Sequence, residues 1–176
     1  TTTTSSSIEV IAIRRSDTGE WALPGGFRDS DDVDAAHTAA REFAEEALGL
    51  PPSKIEKLQK SLLADFCRIG VVLYYGIVDD LRNTDNAWVE TTLVAVDVDK
   101  LPNMPPIRAG DDATDVRWVN VNDIAPSCAA VRIAAEKKAS SDASDTKKSI
   151  NFFAHHADMI MDAVPLLRSW HAADSV

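Results

Sequence analysis

Residues 23–49, LPGGFRDSDDVDAAHTAAREFAEEALG, decide how this chain is read. They join a glycine pair, Gly25-Gly26, to an acid-rich turn and then to a segment with helical spacing. At about 100° per residue, Val33, Ala36, Ala40, Phe43 and Ala47 fall on one apolar stripe, which leaves Glu42, Glu45 and Glu46 grouped on another face. Asp29, Ser30, Asp31 and Asp32 offer N-cap oxygens and favourable charge at the helix start, and Gly49 with Pro51-Pro52 ends it. Glu42 and Glu46 are neighbours one turn apart, and like charges this close destabilise a helix unless water or a cation neutralises them. Hard carboxylate oxygens suit Mg²⁺, with Mn²⁺ as the alternative. For REFAEE alone, a solvated acidic face balanced by Arg41 is the competing reading. The glycines weigh against it, because a backbone without side chains can approach a ligand or metal closely.

Working outward, residues 8–14, IEVIAIR, are β-rich, and Ser16-Asp17-Thr18-Gly19 supplies a turn before residues 20–23, EWAL. The expectation is a hairpin whose second strand delivers the glycine pair. Residues 53–65 carry a helical apolar pattern, and residues 71–78 read as a buried strand. The polar loop DDLRNTDN, residues 79–86, is followed by a partly alternating strand over residues 87–98 that starts by burying Trp88. A Pro-rich connection at residues 101–109 leads to a strand at residues 115–121. Helices are expected at residues 128–139 and 151–170, the second kinked or ended by Pro165, with a mobile loop at residues 140–149 between them. Alternating helices and strands with hairpins give an α/β chain with a mixed sheet rather than a doubly wound parallel one. Residues 8–172 read as one domain, behind a linker or tag remnant at residues 1–7.

At 176 residues such a domain buries roughly 70% of its unfolded surface, and a composition of 45% hydrophobic and 26% charged residues supports that core. A formal charge of -10 opposes binding to phosphate backbones, so nucleic acid is excluded as a main partner. No apolar run approaches the ~20 residues that span a bilayer, so this segment does not insert into a membrane. Cys67 and Cys128 show neither CxxC spacing nor a neighbouring His, which argues for reduced structural thiols rather than a zinc site or disulfide framework.

In order and spacing, LPGG, the acidic turn and REFAEE resemble the box of the Nudix hydrolases: Gly, five residues, Glu, seven residues, then Arg-Glu-apolar-any-Glu-Glu. Three departures stand out. Asp32 occupies the position of the first Glu, Arg41 falls one residue late, and Leu48 takes the place of a Gly that here comes one step later as Gly49. Residues 79–91, 109–123 and 152–160, with GEWALPGG and REFAEEAL, resemble the mitochondrial type of ADP-ribose pyrophosphatase. They are equally similar to the C-terminal domain of melastatin-type TRP cation channels gated by ADP-ribose. The resemblance runs from about residue 8 to residue 170.

The resemblance implies a Nudix-type α/β/α sandwich with a mixed sheet. It implies Mg²⁺-dependent hydrolysis of the pyrophosphate of ADP-ribose to AMP and ribose 5-phosphate. The alternative is a regulatory domain that binds ADP-ribose with little or no hydrolysis as part of a channel polypeptide. A stand-alone enzyme would be cytoplasmic or mitochondrial, and a channel domain would lie on the cytoplasmic face of a membrane. By similarity, Glu42, Glu45 and Glu46 coordinate the metal, Gly25 lends its carbonyl, and Arg41 holds the glutamates in position. Gly25, Gly26, Asp80, Arg82, Asn83, Asp85, Phe153 and His156 are the expected substrate contacts, and Asp111 or Asp112 is a candidate general base. Bland readings stand beside these. Asp80 and Arg82 could be a surface pair, Asn83 and Asp85 turn formers, Asp111 and Asp112 an acidic turn, and Phe153 and His156 ordinary helix packing.

Overall fold

Strand β1 (Glu9–Arg15) is buried at its centre through Ile11, Ala12 and Ile13 in succession. A continuous apolar run, rather than alternation, is what a strand covered on both faces requires. It is the middle of a three-stranded sheet, flanked by β2 (Trp21–Ala22) and, from later in the chain, β5 (Ala113–Asn120). β1 and β2 pair antiparallel with Ile13 opposite Ala22, so the expected hairpin forms around the turn at residues 16–19. Gly19 closes that turn at φ 71°, a conformation that costs glycine little. The computed structural model describes residues 7–50, 52–80, 82–102, 104–110, 112–125, 150–153 and 155–173. The helix expected at residues 128–139, Cys128, and the loop at residues 140–149 lie outside the described residues.

Backbone contacts divide the chain into two compact units, residues 11–117 and residues 1–10 with 118–176. In the first, α1 (Ala35–Glu42) runs directly into a π-helical turn (Phe43–Ala47), and α2 (Pro52–Ile69) packs on both. Ala40, Phe43, Ala44, Ala47 and Leu48 meet Leu62 and Phe66 as the buried set, with the Phe43 and Phe66 rings 5.8 Å apart and tilted by 43°. Burial of each large side chain in such a set is worth roughly 1.5–3 kcal/mol. Two expectations are corrected here. The helix starts later than the acidic run suggested, capped by Asp34, whose carboxylate accepts from the His37 N–H at 2.9 Å. Val33 therefore lies outside the helix and off its apolar stripe, 77% exposed.

β3 (Val71–Ile77) and β4 (Glu90–Ala95) form an antiparallel hairpin with a bulge between Val72 and Tyr74. The strand expected to be buried is not: Val71, Val72, Tyr75 and Ile77 are all exposed. Trp88 precedes the strand instead of starting it and is exposed too, its indole N–H donating to Glu90 at 3.3 Å. Cys67 is a free thiol on the exposed side of α2, not a core group.

In the second unit, a 3₁₀ turn (Val121–Asp123) leads to a parallel bridge between Ile124 and Ile150. Helix α3 (His156–Ala173) buries Ala157, Ile160, Ala163 and Val164 at helical spacing and runs through Pro165 without ending there. No helix among the described residues is long and apolar enough to cross a membrane.

Candidate active site

The glycine pair and the end of the site helix meet through Arg41. Its guanidinium donates to both oxygens of Asp32, at 2.9 and 3.3 Å, and to the Phe27 carbonyl at 3.0 Å, fastening the loop after the glycines to the helix. The same group donates to Glu42 at 2.8 Å and Glu45 at 3.2 Å. Asp32 also accepts from the Asp29 N–H at 3.0 Å and is the only buried charged residue among those described. The Arg41 hydrogen bonds hold its carboxyl far below the usual aspartate range, against a desolvation that pulls the other way.

Glu42 and Glu46 are partly buried at the helix end, and that burial pushes both carboxyls upward. For Glu42, Arg41 opposes the effect. For Glu46 the result is about 7: desolvation leads, the Gly25 N–H opposes it, and the charges of Glu42 and Asp112 add to it. Glu46 Oε2 accepts from the Gly25 N–H at 2.9 Å, so the contact shown by Gly25 is through its amide. Gly26 lies so close that a Cβ there would strike the Glu42 carboxylate. Gly26 therefore serves the close approach that its sequence position implied, whereas a Cβ on Gly25 would meet open space.

The π turn explains one departure in the sequence. Such a turn takes up one more residue than an α turn. The residue that moves the expected glycine from position 48 to 49 is absorbed there, and Gly49, at φ 50°, still ends the helix in the left-handed conformation.

Three further charged groups gather near this end, Arg82, Arg15 and Asp112. Arg82 is gripped by Asp80 through both carboxylate oxygens at 2.7 Å and lies over the Phe27 ring, 4.9 Å from its centroid. Arg15, at the end of β1 and paired with Asp17, is close enough for its charge and that of Glu46 to affect each other. Asp112 reaches Glu46 in the same way. Arg15 and Phe27 were missed in the sequence. An Arg ending the first strand of the hairpin, and an aromatic directly after the glycines, were the available signals.

Other expected contacts have partners of their own or belong to the second unit. The Asn83 side chain bridges the loop, donating to the Val78 carbonyl and accepting from the Val89 N–H, each at 2.7 Å, and Asp85 is an exposed turn residue beside it. Asp111 lies outside the described residues. Phe153 and His156 belong to the second unit and meet each other edge to face, 6.1 Å between centroids.

Among the described residues, no three Asp, Glu, His or Cys side chains are gathered into a set that could hold a metal ion. The expected sphere of Glu42, Glu45, Glu46 and the Gly25 carbonyl is not assembled, because Arg41 holds Glu42 and Glu45 while the Gly25 N–H holds Glu46. The donor chemistry nevertheless fits a hard divalent cation. The donors are carboxylate oxygens, two of them on groups whose burial disfavours the free anion, which a nearby cation would relieve.

A hairpin that feeds a glycine turn onto an arginine-tied acidic helix end, with two further arginines alongside, defines the class of site. Residues 3–140 match the NUDIX domain, and the chain belongs to the Nudix family, whose hydrolases use divalent metals. It is 45% identical over 121 residues to the mitochondrial ADP-ribose pyrophosphatase of Rattus norvegicus, covering 66% of this chain and 34% of that protein. Putative nudix hydrolase 6 of Caenorhabditis elegans is 43% identical over 122 residues, 68% of this chain and 44% of the relative. Transient receptor potential cation channel subfamily M member-like 2 of Nematostella vectensis is 39% identical over 124 residues, 68% of this chain and 8% of the channel. The chain spans less than half the length of each of these relatives.

Proposed function

We propose that this chain hydrolyses the pyrophosphate of ADP-ribose to AMP and ribose 5-phosphate, with Mg²⁺ as the metal and Mn²⁺ as its substitute. The observation that carries the reading is the helix end on which Arg41 bonds Glu42 and Glu45 and the Gly25 N–H bonds Glu46, in a chain 45% identical to a mitochondrial ADP-ribose pyrophosphatase. A divalent cation held by the three glutamates would neutralise charge on the pyrophosphate oxygens and make a water more acidic. Arg41 orients Glu42 and Glu45 while its other edge is anchored on Asp32. Arg82 and Arg15 supply positive charge for the phosphates in an otherwise acidic protein, and Asp80 aims Arg82. The exposed Asp112 carboxylate takes the proton of the attacking water. The water oxygen bonds to phosphorus as the bridging P–O bond breaks, and the bridging oxygen leaves with one of the phosphates. Incubation with ADP-ribose and Mg²⁺, followed by chromatography, is expected to yield AMP and ribose 5-phosphate in equal amounts; no AMP at high protein concentration refutes the reading.

The similarity to a TRP-type channel supports a second reading, an ADP-ribose-binding regulatory domain with little turnover. Calorimetry would then show binding of intact ADP-ribose in Mg²⁺ with no product formed.

A further inference from the structure

The last carbonyls of a helix lack partners within it. At the end of the site helix, those of Glu46 and Ala47 accept from the Pro-rich connection far downstream: the Gly110 N–H donates to Glu46 O at 3.1 Å and the Arg108 N–H to Ala47 O at 2.8 Å. This backbone seam leaves no room for a side chain on either side. A Cβ on Gly110 would strike the Glu45 carbonyl and come within 2.9 Å of Gly49 Cα. One on Gly49 would lie 2.6 Å from Ala109 O and 3.0 Å from Arg108 O. These obstacles are backbone and cannot swing aside, unlike the Glu42 carboxylate that faces Gly26.

The seam leads directly to Asp112. The Gly110 carbonyl accepts from the Ala113 N–H at 2.7 Å, and the Asp112 carbonyl accepts from the Ser16 N–H at 2.9 Å, at the end of β1. Asp112 is thereby suspended between the end of the glutamate helix and the end of a buried strand. Its charge is felt by Glu46, whose own carbonyl takes the Gly110 bond.

We propose that Gly110 is a positioning residue: by letting the loop lie against the π turn, it fixes Asp112 relative to Glu46 for the hydrolytic step. The inference rests on the reaction proposed above and adds to it a residue that touches no reacting atom. Replacing Gly110 with Ala forces the loop off the helix end and carries Asp112 with it.

The test is a double-mutant cycle on ADP-ribose with Mg²⁺, using Gly110→Ala, Asp112→Asn and the pair. Each single variant is expected to lower kcat by roughly tenfold or more while KM stays within about threefold, a general base being worth roughly that or above. The double variant should be no slower than the slower of the two single variants, because both act through the same acid. Additive losses, or an unchanged kcat in either single variant, overturn the proposal. Amide hydrogen exchange on the same proteins without substrate reads the seam itself: Arg108 should exchange about tenfold faster in Gly110→Ala while Ile13 and Leu62 keep their protection. Unaltered Arg108 protection also overturns it. If the wild type fails to turn over ADP-ribose, the proposed reaction falls while exchange still judges the seam. If Gly110→Ala does not fold, Ala113→Pro, which removes the donor to the Gly110 carbonyl, takes its place with the same expected non-additivity.

Discussion

Arg41 has carboxylates on two sides, and they are held in opposite ways. On one side Asp32, its side chain only 2% exposed, receives two bonds from Arg41 and one from the Asp29 N–H, and its carboxyl sits far below the usual range. On the other side Glu42, which accepts from Arg41, and beyond it Glu46, which accepts from the Gly25 N–H, are shifted upward, because desolvation outweighs the donors that reach them. Hydrogen bonds lead for Asp32 and desolvation leads for the glutamates, so the balance of the two sets the state of each acid. Asp32 is satisfied and structural. The glutamates are left wanting positive charge, and that deficit is what suits them to a cation and an anionic substrate.

The strongest way to break this contrast is Glu46→Gln. The amide keeps an acceptor for the Gly25 N–H but loses the charge that burial disfavours. Turnover of ADP-ribose should fall by about 10³-fold or more, roughly 4 kcal/mol of barrier at 1.36 kcal/mol per decade. The melting temperature in chelator at pH 8 should rise, as expected for a group kept for function at a cost in stability. A melting temperature that falls would mean the Glu46 carboxylate is a stabilising group, and the contrast would collapse.

Asp32→Asn should act in reverse. A charged hydrogen-bond partner of Arg41 is lost in a buried place, which costs about 2 kcal/mol, or roughly 4–8 °C in melting temperature for a chain of this size. Arg41 keeps Glu42, Glu45 and the Phe27 carbonyl, so kcat should fall only about tenfold. Thermal unfolding and steady-state kinetics on the two variants decide whether stability and activity separate between the two acids.

How far the sequence disclosed this arrangement depends on the range of the forces involved. The glycine pair, the helix, the first hairpin and the REFAEE cluster follow from local spacing, and all are present. Asp32 was visible only as a departure from a motif, since its pairing with Arg41 depends on how the intervening loop folds back. The late start of α1 escaped notice because any of several acids could have served as the cap, and Asp34 won by reaching the His37 N–H. The exposure of β3 and Trp88 contradicts their composition, because apolar character reports a tendency to be covered and not which element covers it. Arg15 and Asp112 come within range of Glu46, and Phe27 meets Arg41 and Arg82, only through tertiary contacts, which no spacing rule encodes.

The smallest effect separates the two sides by pH alone. In protein stripped of divalent cations, Glu46 titrates at about 7 when folded against an ordinary value of 4.5. The folded chain then holds this proton more tightly than the unfolded one, so the stability Glu46 contributes is complete below about 4.5 and is lost as pH rises through about 7. Asp32, shifted downward, has the opposite sign: its contribution is present above the ordinary aspartate value and is lost as pH falls below it. The melting temperature in chelator should therefore peak at mildly acid pH and decline by a few degrees, of order 1 kcal/mol, toward pH 8. Added Mg²⁺ should reverse the alkaline decline and do little near pH 5, where protons compete for the same carboxylates. Glu46→Gln should remove most of the alkaline decline, leaving the smaller part that belongs to Glu42, and keep the acid one, while Asp32→Asn does the converse. An alkaline decline undiminished in Glu46→Gln would place the unsatisfied acid elsewhere in the chain.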